Sequence, residues 1–98
     1  MTTVVLTALT LPPGATFVTR NNVPYTVGTN NQVTAANAGD ARELCASGNF
    51  EPTNKTGPTS QRPTTTWPGL GYFDTTLQQF ITRNDIDTAW LGASGNAV

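Results

Sequence analysis

Histidine is absent from the 98-residue chain, and cysteine occurs once, at position 45. Without an imidazole there is no general base for a Ser-His-Asp or Cys-His arrangement, and the commonest nitrogen ligand for metals is missing. There is no Gly-x-Ser-x-Gly elbow either, so the chain reads as non-enzymatic, with no cofactor and no metal site implied. A single cysteine excludes an intrachain disulfide and leaves the redox compartment open. Cys45 itself reads as a small buried hydrophobe on a helix, because a reactive thiol wants basic neighbours and only Arg42 is close to it in sequence.

Charge is scarce as well. Five basic residues stand against six acidic ones for a net charge of −1, and Arg20, Arg42, Lys55, Arg62 and Arg83 are scattered along the chain. Nucleic acid is therefore not an expected partner, since that requires a basic stripe to displace counterions. No apolar run approaches the ~20 residues needed to cross a bilayer, so no membrane partner is expected. The apolar stretch Val4 to Leu9 lacks the positive segment that precedes a signal peptide's core and reads as a strand. Hydrophobic residues make up 37% of the chain, below the roughly 45–50% of an average domain. The core is thin, and stability is expected to lean on a partner or on oligomerisation.

What is present is β-forming material interrupted by turn residues. Thr2 to Leu11 fits a first strand, ended by Pro12-Pro13-Gly14, and Thr16 to Thr19 a second. Asn21-Asn22 tolerates positive φ and predicts a tight hairpin into Val23 to Val27, where Pro24 points to an edge strand or a bulge. Gly28 to Asn31 makes another turn, leading to a short strand at Gln32 to Thr34. The period then changes: Ala38, Ala41, Leu44 and Cys45 share one face of a helix over 37–47, with Asn37 or Thr34 as N-cap, Gly48 past its end and Phe50 folding back beneath it. The fold class is thus mainly β with one short α-helix, an α+β arrangement.

Residues 51–66 carry Pro52, Pro58 and Pro63 among Thr, Ser, Asn and Gly, with no apolar side chain, and read as an extended linker. In polyproline geometry at roughly 3.1 Å per residue it would reach about 50 Å. Three pieces follow from this: a β-rich piece with one helix over 1–50, the linker over 51–66, and a C-terminal β-hairpin over 67–98. In the last, Phe73, Leu77, Phe80, Ile81, Trp90 and Leu91 exceed what one hairpin can bury and predict an interface with the chain's own copies. Period-two alternation puts Phe73 and Leu77 on one face of the strand as core candidates, and Tyr72, Asp74 and Thr76 on the other. Tyr72 and Trp67 are the candidates for contact with something outside, such as a sugar ring. Asp85 and Asp87, with Asn84 and Asp74, could be considered for a hard cation, but the spacing fits only a capped turn.

The segment Arg62-Pro63 through Tyr72-Phe73-Asp74-Thr75-Thr76-Leu77, followed by Trp90 and a Gly/Ala/Ser tail, resembles a C-terminal module of bacteriophage virion proteins found in head fibres, capsid decoration proteins and tail-fibre pieces. The family's Gly-Lys-Pro after the Leu is replaced here by Gln78-Gln79-Phe80-Ile81, and its Asn-Gly turn by Asn84-Asp85-Ile86-Asp87. The resemblance implies a viral structural protein on the phage particle, made in the bacterial cytoplasm. There the Asn54-Lys55-Thr56 sequon would carry no glycan. It further implies a homotrimer that binds the major capsid protein or another virion protein. A capsid decoration, head-fibre or cement protein is the leading expectation. A tail or tail-fibre accessory, or a carbohydrate-binding module for host attachment, is the alternative.

Overall fold

The Val, Leu and Thr residues near the start form the central strand of a small sheet. In the computed structural model, which describes residues 3–98, β1 (Val4–Ala8) pairs antiparallel with β4 (Gln32–Ala35) on one side and β5 (Phe50–Pro52) on the other. Thr2 of the expected first strand lies outside the described residues. Alternation sends Leu6, Val33, Ala35 and Phe50 to one face, where Ala41 and Leu44 of α1 (Ala38–Ala46) cover them.

The helix has the limits its sequence predicts. Asn37 caps it, its side chain accepting the Asp40 amide at 2.8 Å. At the other end Gly48 takes φ +81 and donates to the Cys45 carbonyl, while the Ser47 hydroxyl donates to the Leu44 carbonyl at 2.6 Å. Phe50 then turns back beneath the helix. It is met edge-on by Phe17, ring centroids 6.0 Å apart.

Phe17 belongs to β2 (Thr16–Val18), which pairs with β3 (Pro24–Thr26) as a separate two-stranded ribbon. Asn22 and Asn31 hold positive φ in the turns read from sequence. Tyr25 fastens the ribbon to the helix: its hydroxyl donates to Asp40 Oδ2 at 2.6 Å and accepts the Ala36 amide. Burial raises the Tyr25 pKa and Asp40 adds to the rise, against the Ala36 amide, so the hydroxyl keeps its proton. Burial also pushes the Cys45 thiol up to about 11, with Glu51 adding to the shift.

The chain divides into two compact units, 1–53 and 54–98. The second is built on a four-stranded sheet in the order β6 (Thr56–Gly57), β7 (Gly71–Asp74), β8 (Gln79–Arg83), β9 (Trp90–Leu91). The expected C-terminal hairpin is present as β7 and β8, but it is the centre of this sheet and not a free-standing element. The expected linker over 51–66 is corrected more fully. Its first residues complete β5, Thr56–Gly57 runs parallel to β7, and Thr59–Gln61 forms a 3-10 turn packed on the same sheet. The segment needs no apolar side chains to be ordered, because polar groups far along the chain hold it.

Candidate functional site

Those polar groups come from β7. Asp74 is fully buried, and its carboxylate accepts from the Thr59 hydroxyl, from Arg62 Nε at 2.9 Å, and from the amides of Thr76 and Leu77. A second Arg62 nitrogen lies 2.8 Å from Asp74 Oδ2, so two guanidinium nitrogens converge on that one oxygen. Desolvation alone would raise the Asp74 pKa. The Leu77 amide, the Thr59 hydroxyl and the Arg62 guanidinium outweigh it and hold the carboxyl below its ordinary value. Arg62 also donates to the Val98 carbonyl at 3.0 Å. One carboxylate thus ties the 3-10 turn and the β7–β8 turn together, and reaches the C-terminal tail through its arginine.

Tyr72, two residues earlier on the same face, has no exposed surface, and its hydroxyl donates to the Pro58 carbonyl at 3.0 Å. The ring fills space that Gly57 leaves open, since a Cβ there would collide with the phenol oxygen. Trp90 packs against it with ring centroids 6.2 Å apart, and the Arg83 guanidinium lies 5.4 Å from the Trp90 centroid. Arg83 is itself held by Asp87 at 2.8 Å. Desolvation would raise the Asp87 carboxyl, but bonds from Arg83 and Thr66 and the charge of Arg83 hold it low.

These contacts reverse the predicted polarity of β7. Tyr72 and Asp74 face the core, while Phe73 is 42% exposed. The alternation is as expected; the side chosen for burial is not. A buried phenol and a buried carboxylate are tolerated because Pro58, Thr59 and Arg62 complete their hydrogen bonds. Trp67, also offered as an outward contact, is likewise buried.

The predicted interface residues divide in the same way. Ile81 and Trp90 lie in the core of the unit. Burial of Trp90 therefore needs no neighbouring chain. Phe73 and Phe80 are direct cross-strand partners on the opposite face, with Phe80 57% exposed. Leu91 joins them on that face, as the register Gly71↔Thr82↔Leu91 shows. Leu77 stands 41% exposed in the turn between the two strands. Phe80 is not loose: its ring lies over Gly71, where any Cβ would overlap it. By register the face is made of Thr56, Gly71, Phe73, Phe80, Thr82 and Leu91, and carries no charge.

Elsewhere, the Asn84 to Thr88 turn is capped as read from sequence. The Asn84 side chain accepts the Thr88 amide at 2.8 Å and donates to the Thr88 hydroxyl. An open groove of about 470 Å³ along α1 is lined by Arg20, Gly39, Arg42, Glu43 and Ala46. Its carboxylate, Glu43, already accepts the Arg20 amide at 2.7 Å. The structural hub Arg62–Asp74 went unread because its partners are twelve residues apart; the signal was an acid sharing a strand face with a tyrosine, downstream of an isolated arginine. The chain matches no protein-family model, no curated protein and no solved structure.

Proposed function

We propose that this chain is a non-enzymatic structural protein of a bacteriophage particle, a capsid decoration or head-fibre protein that binds the assembled shell as a homo-oligomer. The observation that carries the reading is the build of the second unit. Arg62, Tyr72 and Asp74, on which the resemblance to virion modules rests, are engaged in internal bonds that fasten the unit together. Phe73 and Leu77 of the same segment remain exposed. Such a unit is suited to being a part of an assembly. A decoration protein acts by mass action: it binds the closed shell and not the separate subunits, and so favours the shell.

Tyr72 and Trp67, the two aromatics offered for outward contact in a carbohydrate-binding reading, are buried. The tail or tail-fibre accessory differs only in location on the particle. The test is quantitative mass spectrometry of gradient-purified particles of the phage that encodes the chain. A structural component sediments with the particle in fixed ratio to the major capsid protein. Its absence from purified particles, with the free protein abundant in the lysate, would overturn the proposal.

A further inference from the structure

We infer that the uncharged sheet face centred on Phe73 and Phe80 is covered by the same face of a second copy of this chain. The inference deepens the structural-protein reading, and rests on it, by naming what lies against that surface. The argument begins with layers. A sheet with apolar residues on both sides needs a layer over each, and domains are built from at least two packed layers. On one side of the four-stranded sheet Tyr72, Ile81 and Trp90 are buried. On the other, Phe73 and Phe80 stand in solvent.

The make-up of the face selects the occupant. Neither the sheet positions of the face nor the neighbouring turn residues Thr75, Thr76, Leu77 and Gln78 carry a charge. There is accordingly no electrostatic feature for a charged foreign surface to complement, whereas a copy of the face matches it in apolar character. The arrangement also follows that of a protein interface, with an aromatic and aliphatic centre ringed by uncharged polar groups that exclude water. Packing over Gly71 fixes Phe80 beforehand, which lowers the ordering cost of association.

Area sets the strength. Two aromatic side chains of about 150–250 Å² each, roughly half exposed, with parts of Leu77 and Leu91, offer on the order of 300 Å² of apolar surface per copy. A standard interface takes about 800 Å² per partner. The apolar centre is thus somewhat under half of a full interface, and Thr56, Thr75, Thr76, Gln78 and Thr82 supply the rim. Association is expected to be reversible and dependent on concentration.

The experiment is sedimentation of the full chain across a roughly hundredfold concentration range, for the wild type, Phe73→Lys, Phe73→Glu and an equimolar mixture of the two variants. Phe73 lies outside the unit's core, so both variants are expected to keep the wild-type circular dichroism. The wild type should associate as concentration rises. Each variant alone, placing like charges against one another, should weaken association at least about tenfold, and the mixture should restore it. A wild type that stays monomeric overturns the inference, as does association unchanged in both variants, which would place the contact elsewhere. Persistent weakness of the mixture beside weak single variants also counts against it, because a foreign or heterologous surface would not be rescued by charge exchange. Self-association of a protein that is absent from virions would leave the inference standing and overturn only the function proposed above.

Discussion

Replacing Trp90 by alanine discriminates between a tryptophan that serves its own unit and one that waits for a partner. Trp90 is 9% exposed in the single chain, packed on Tyr72 and stacked beneath Arg83. Truncating a buried tryptophan costs about 3–5 kcal/mol, and loss of the Arg83 contact adds about 0.5–1 kcal/mol. At roughly 0.05–0.15 kcal/mol per residue, a unit of the size of 54–98 holds about 2–7 kcal/mol in all. Trp90→Ala is therefore expected to unfold most or all of that unit at room temperature, at any protein concentration. The remaining tryptophan reports the event, since Trp67 is buried in the same unit. Its emission should move to the red in the variant and stay there on concentration. If Trp67 emission and melting are those of the wild type, the structural role is refuted. If the loss is reversed simply by raising concentration, Trp90 belongs to an interface between chains.

Asp74→Asn should lower the melting temperature at neutral pH, because Arg62 keeps its charge and loses its partner. Melting of the wild type should fall as pH drops below about 4, the ordinary carboxyl value. Asp74 and Asp87 both have folded pKa values below their unfolded ones, so their contribution is complete above that value and is lost as pH falls through the folded values. Asp74→Asn should flatten part of that acid slope; an unchanged slope would remove Asp74 from the account. Asn37→Ala should cost about 1 kcal/mol through loss of the helix cap, readable in the urea midpoint, and a change within error would mean the cap bond contributes nothing. Cys45, with its thiol pushed up to about 11, should react with a thiol reagent at neutral pH far more slowly than the denatured chain does. Equal rates would show that the site is open.

The first unit was largely legible because its signals are local. Asn37, Gly48 and the two asparagine turns each act within a few residues of themselves, and a helix or hairpin boundary follows directly from them. The second unit was not, because its order depends on long-range polar pairs. Residues 54–62 look like a linker to any reading by composition, since they contain nothing apolar to bury. They are fixed instead by Tyr72 and Asp74, which lie on the strand face opposite the one that Phe73 and Leu77 mark as core by hydrophobicity. Phe73 and Phe80 show the converse. Their hydrophobicity reads as a need for cover, and in the single chain both stand largely uncovered.

The most direct test of the proposed role is a reconstruction, at side-chain resolution, of the phage particle proposed to carry this chain. The account predicts the four-stranded sheet at a fixed site on the particle, with the Arg62–Asp74 pair intact within each copy and the Phe73–Phe80 face buried against the same face of a neighbouring copy. Density showing that face bare to solvent, or the chain missing from the particle altogether, would contradict it.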